Sequence, residues 1–340
     1  MYITPAPSAT DDPLYGLRLG LTGMLAYAMI PIIDPALPSI IAALPIGLIA
    51  SQRKAFQPVN AIAGPITMMV LVILMSWLVE QLRPMPLVYV GSMWLIYFTG
   101  FHMILKSGSP AGMLLLIISV LMSVMGMNGN ATLETMRDGF VQASLVALVL
   151  APIVYLVFPS RTTERHIATP VPSQGNLVVG AAIRASVLLM LSFWLYLVMQ
   201  PSDMMMAIIA AMVLVFPTRH AVFFEAKQRV RATLLGGVTA LVILVLFTFS
   251  QHLLILLGLI FLAGTWFGTK MLNSTQPSMV YQYAFSVALA LIAGALSTQD
   301  AGYATFTRIV LTITGAFSAA FLVAALDALT NWQKLNSDSP

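Results

Sequence analysis

The chain has 340 residues, 59% of them hydrophobic and 8% charged, with a net charge of +4 and no cysteine. Soluble domains carry about 25% charged residues, and so apolar a chain would expose large sticky patches in water. The composition therefore points to the bilayer as solvent, and it excludes a disulfide framework, a thiolate metal site and a cysteine nucleophile.

The apolar residues fall into runs of the length that crosses about 30 Å of hydrocarbon as a helix. They are apolar on every face, without the alternation of barrel strands. Residues 1–15 read as a solvated cytoplasmic tail containing Asp11 and Asp12, without the basic n-region of a signal peptide. A first membrane segment, 16–158, holds helices predicted at 16–33, 36–50, 61–81, 86–105, 111–127 and 137–158. The polar stretch 159–177 is a linker. A second segment, 178–332, holds helices at 178–199, 203–217, 230–250, 252–271, 278–297 and 305–330, and 333–340 form a second tail. The expectation is an all-α integral membrane protein of about 12 spans with both ends in the cytoplasm. That arrangement places thirteen of the 16 Lys and Arg on the inner face, as the positive-inside rule requires.

The two halves read as copies. A shift of 166 residues aligns Arg18 with Arg184, Asp34 with Gln200, Pro35 with Pro201 and Arg53 with Arg219. Six helices per copy is an even number, so the copies share one orientation as parallel six-helix repeats.

Absences narrow the chemistry. There is no P-loop, no dinucleotide fingerprint and no H-E-x-x-H, and the four histidines lack ligand spacing. No catalytic residue, metal or cofactor is assigned, and no nucleic-acid partner; the reading is not an enzyme. The short helices 36–50 and 203–217 hold matching positions, which in transporters often marks the substrate site. The alternative is a plain tight turn at the membrane surface. Asp34, with Asp203 at the equivalent turn, and Asp327 within the last helix are the candidate proton-coupling groups, since ionisable residues in spans are functional by default. A solvated capping Asp is the other reading of Asp34. Arg18, Arg184, Arg53, Arg219, Arg229 and Arg231 would form a basic inner vestibule that gathers organic anions, because a guanidinium fork meets a carboxylate bidentately. Topology alone also accounts for them. Gln200, Trp94 and Trp194 complete the candidate substrate-binding set, the two Trp as platforms for an aromatic ligand.

An Arg opening the first helix, then a near-copy containing FFEAKQRVRATLLGGVTALVILVLF, resembles the fusaric acid resistance and aromatic acid exporter superfamily. That family carries R-x-x-G-T-x-x-G ahead of a small-residue-rich helix. Here Arg229, Thr233 and Gly236 fit, and Ala232 stands at the first Gly. The resemblance implies a bacterial inner-membrane permease that exports hydrophobic or aromatic organic acids, driven by protons. It also implies a periplasmic membrane-fusion adaptor as partner, with an outer-membrane channel as an open addition; a homo-oligomer is left open by the sequence. A passive organic-anion channel and a non-transporting anchor for an adaptor are the alternatives.

Overall fold

The computed structural model describes residues 12–50, 56–108, 110–160, 175–198, 219–274, 278–297, 317–318 and 321–330. These residues are helical throughout, joined by short turns, with no strand among them. The helices are α1 (Tyr15–Ala28), α2 (Ile30–Ile33), α3 (Pro38–Ala50), α4 (Pro58–Leu82), α5 (Pro86–Ser107) and α6 (Pro110–Asn128). They continue with α7 (Asn130–Val157), α8 (Leu177–Val198), α9 (Arg219–Phe249), α10 (Leu253–Asn273) and α11 (Ser278–Ser297). The last is α12 (Phe321–Thr330). Nine helical stretches among the described residues are long and apolar enough to cross a membrane, α1 and α2 counting as one. The α3 and α12 segments are shorter. The predicted helix 203–217 and most of 305–330 lie outside the described residues.

The start signals are local. Pro stands first in α3, α4, α5 and α6, where its fixed φ suits a helix and its missing N–H would be unsatisfied in any case. Gly108 closes α5 in the left-handed conformation at φ 62°, donating its N–H to the Ile104 carbonyl at 2.7 Å. Two starts differ from the sequence reading. Helix α7 begins at Asn130, not 137, because Leu133, Met136 and Phe140 bury one face of an otherwise polar turn. Helix α9 begins at Arg219, not 230. No Gly or Pro interrupts residues 218–235, so the basic stretch expected as a loop continues the helix.

The outward faces are apolar. On α4, Val59, Ile62, Ile66, Val70, Ile73 and Trp77 are all exposed at helical spacing, and α9 shows the same with Leu234, Val238, Leu241, Val245 and Phe249. Only lipid satisfies such faces. The chain is a multi-pass helical membrane protein.

Inside, the buried residues form two clusters. One joins α4, α5, α6, α7 and α8 with Ala26 of α1 and Val323 of α12; the other joins the rest of the buried α1 residues with α9, α10 and α11. Helix α3 lies between them, giving Ile40 and Ile41 to the first and Ala42 and Ile46 to the second. It packs on α11, α7 and α1. Thus α1 packs chiefly on α10, and α8 on α5. The first helix of each predicted half lies against the fourth helix of the other.

The α1–α10 contact is made by backbone. Gly16 and Gly20 face Gly268 and Gly264. A Cβ at Gly264 would come within 2.6 Å of the Gly20 Cα, and one at Gly268 within 2.6 Å of the Gly16 Cα. These are two G-x-x-x-G stretches crossing, the small-residue packing by which membrane helices approach closely where lipid removes the hydrophobic drive.

Candidate functional site

Membrane helices tolerate an ionised side chain only when it is paired or solvated. Arg18, one turn into α1, is 2% exposed. Its Nη2 donates to the Asp12 carboxylate, and its Nη1 to the Phe158 carbonyl at 3.3 Å. Phe158 caps the C-terminus of α7, where helix carbonyls lack intrahelical donors and the macrodipole favours a cation. The guanidinium carbon lies 4.8 Å from the ring centre of Tyr155 and 6.0 Å from that of Tyr15, within cation–π range. Phe56 packs on Tyr155 with ring centres 4.7 Å apart.

Asp12 corrects the sequence reading. It is fully buried, not part of a solvated tail. The turn Asp12–Pro13–Leu14 opens α1, with Tyr15 N–H donating to the Asp12 carbonyl at 3.1 Å. This turn folds the carboxylate back over Arg18. Burial raises the Asp12 pKa above the ordinary carboxylate value, and the Arg18 charge offsets this only in part.

Arg184, the position aligned with Arg18, is fully buried on α8. Its Nη1 donates to Asp327 Oδ1 at 3.2 Å and its Nη2 to Asp327 Oδ2 at 2.8 Å. Nη1 also reaches the Gly180 carbonyl at 3.1 Å. This is a bidentate, charge-assisted pair between α8 and α12. The sequence reading named both residues without joining them.

Among the described residues both guanidiniums are buried. Each meets the C-terminal end of the last helix of its own predicted half: Phe158 after α7, and Asp327 three residues before the end of α12.

The other candidates are dispersed. Asp34 caps α2 in the left-handed region, φ 48° and ψ 58°, and is exposed. It lines an open cleft of about 360 Å³ with Tyr27 and Gln251. Arg229 is buried on α9, its guanidinium carbon 3.4 Å from the Tyr283 ring centre on α11. Arg231 is exposed. Trp94 Nε1 donates to Ser186 of α8 at 3.0 Å and stacks on Phe98, which stacks on His102. Trp194 lies about two turns further along α8 and is 38% exposed. Arg53, Gln200 and Asp203 lie outside the described residues, as does the side chain of Arg219.

The R-x-x-A-T-x-x-G stretch acquires a physical reading. Arg229, Ala232, Thr233 and Gly236 fall on one buried face of α9. A Cβ at Gly236 would meet the Ala284 carbonyl at 2.4 Å and Val287 Cβ at 2.9 Å. The glycine thus lets α9 and α11 touch, while Arg229 closes the seam over Tyr283.

Sequence reasoning missed Asp12 and the glycine seam. The signal for Asp12 was Arg18 itself, a charge in an apolar helix with few acids nearby. The signal for the seam was the four-residue spacing Gly16/Gly20 and Gly264/Gly268.

No curated protein and no solved structure matches the chain. Residues 189–322, from α8 to the start of α12, match the family model for fusaric acid resistance protein-like sequences, which supports the resemblance read from the sequence.

Proposed function

We propose that this protein is a secondary efflux permease of a bacterial inner membrane, exporting hydrophobic or aromatic organic acids and driven by the proton gradient. One observation carries the coupling: the Arg184–Asp327 pair, closed on both carboxylate oxygens and buried between apolar helices. A charge held in a span is expensive and is retained for function by default. Protonation of Asp327 would break the pair and release α12 from α8. Release in one direction and closure in the other supply a two-state element that a gradient can bias. Asp34, with Asp203, is the second coupling candidate, at the far end of the first span.

The recurrent packing supports two parallel repeats. Contacts α5–α6 and α4–α6 in the first half recur as α10–α11 and α9–α11 in the second. The exchanged first helices link the halves, so that rocking of one against the other passes through α3. A periplasmic adaptor is proposed as partner on the family resemblance, docking on helix ends or through an anchor of its own.

The test is export from proteoliposomes loaded with an aromatic acid. Wild-type export that collapses with a protonophore, and Asp327→Asn export that no longer responds to the gradient while downhill exchange survives, is the expected result. Equal, protonophore-insensitive flux in both proteins would instead favour the passive channel.

A further inference from the structure

The two aligned arginines hold their carboxylates differently. Asp327 is part of a helix and meets Arg184 with both oxygens. Asp12 precedes its helix in a turn and meets Arg18 through Oδ2 alone. Its Oδ1 is buried without a hydrogen-bond partner among the described residues. A buried acceptor lacking a donor is destabilising, so among the described residues this carboxylate is satisfied on one oxygen only. It can also leave without unwinding a turn of α1. Around the same guanidinium stand Tyr15 and Tyr155, with Phe56 packed on Tyr155, and the Phe158 carbonyl holds one edge of the fork. A cation beside aromatic rings is the recognition chemistry for an acid carrying an aromatic ring: the fork takes the carboxylate and the rings take the π-face.

We propose that the Arg18 socket is a binding site for an aromatic carboxylate, and that Asp12 is its internal stand-in, displaced when the ligand's carboxylate takes the Nη2 edge of the guanidinium. The proposal rests on the export reading for its biological ligand, but binding is measured without transport, so the two fail separately. The Arg184 socket, closed by Asp327, is not such a site. Asp12 therefore acts as a built-in competitor that weakens binding and returns when ligand leaves.

Benzoate is the probe, with benzamide as its uncharged counterpart and acetate as its ring-free one. Binding is read by equilibrium dialysis on the full chain in nanodiscs. Asp12→Asn should tighten benzoate about tenfold, the scale of one charge-assisted hydrogen bond removed from competition, and leave benzamide unchanged. Arg18→Gln should abolish benzoate binding, and Tyr155→Leu should weaken benzoate more than acetate. The chain has no cysteine, so Leu14→Cys places a single thiol in the Asp12 turn with Asp12 intact. Benzoate should accelerate its alkylation by a maleimide several-fold, and benzamide should not. This second measurement stands even if Asp12→Asn does not fold. Unchanged benzoate affinity in a folded Asp12→Asn protein, or alkylation indifferent to benzoate, overturns the proposal. Benzoate binding of this pattern without gradient-driven export would leave the site standing and remove the permease reading.

Discussion

Replacing Asp327 by Asn tests whether the α8–α12 link is an ion pair in the energetic sense. The side chains are 0% and 3% exposed, so water cannot screen the Arg184 charge once its partner is gone. Removing one member of a buried pair costs about 3–5 kcal/mol, because the survivor is left uncompensated. A neutral interhelical hydrogen bond in a membrane averages only about 0.6 kcal/mol. The two cases are thus well separated. Reversible unfolding by SDS titration of micellar protein gives the number. The joint variant Arg184→Met with Asp327→Leu should recover most of the loss, since apolar replacement of a buried pair is often neutral. A loss under about 1 kcal/mol for Asp327→Asn, on the scale of that neutral bond, refutes the reasoning. So does a joint variant as damaged as the two single variants added together.

The glycines give a controlled set. Gly264→Ala drives a Cβ to within 2.6 Å of the Gly20 Cα and should destabilise by about 1–3 kcal/mol through overpacking. Gly258→Ala on the same helix meets nothing within 4 Å and should stabilise slightly through helix propensity. The same titration reads both, and equal effects would discount the seam. Gly236→Ala, pressed on the Ala284 carbonyl at 2.4 Å, should behave like Gly264→Ala and should also loosen Arg229 from Tyr283. That is visible as increased reactivity of Arg229 to phenylglyoxal, located by mass spectrometry of the labelled peptide. Finally, the folded-state pKa of Asp12 lies above its unfolded value. Its stabilising contribution is therefore complete at low pH and is lost as pH rises through the folded pKa. Unfolding measured across pH 4–8 should show wild type losing stability relative to Asp12→Asn as pH rises; the opposite trend would mean that the Arg18 charge outweighs burial.

Much of the helical layout was legible because bilayer thickness imposes its own length on apolar runs. The turns at 83–85 and 250–252 fell where expected for the same reason. The starts of α7 and α9 were not legible as helix, since a polar or basic stretch at a membrane edge reads as loop from hydropathy alone. What it does there depends on the neighbour it packs on: Leu133 and Met136 are buried in the first core cluster, and Arg229 covers Tyr283. The site was legible in its cations and less so in their partners. Arg18 and Arg184 stood out by alignment, but the carboxylate each meets lies 6 residues away in one case and 143 in the other. No local spacing encodes both. Pairing in a span is a tertiary choice among the few acids present, and it follows from which helix ends meet.

The contrast between those two arginines is the step that ties fold to function. Each of these two helices packs chiefly on a helix of the other predicted half, yet its arginine reaches the end of the last helix of its own predicted half. An arginine in that position stands where elements of both predicted halves meet. Where its partner is a helical carboxylate met on both oxygens, the contact can open only by protonation or by moving a whole helix, which suits coupling. Where its partner is one oxygen of a residue in a turn, the contact can open by local exchange, which suits binding. On the proposed reading the two tasks are divided between the Asp12 contact and the Asp327 contact, so exchanging function between the sockets should fail in a specific way. Giving Arg18 a helical partner by Tyr155→Asp, on α7 beside the guanidinium, with Asp12→Asn, should yield a protein that is stable, binds benzoate no better than wild type and exports nothing. Tight benzoate binding in that variant would mean that a helical carboxylate yields to ligand as readily as Asp12, and the division of labour between the two arginines would fall.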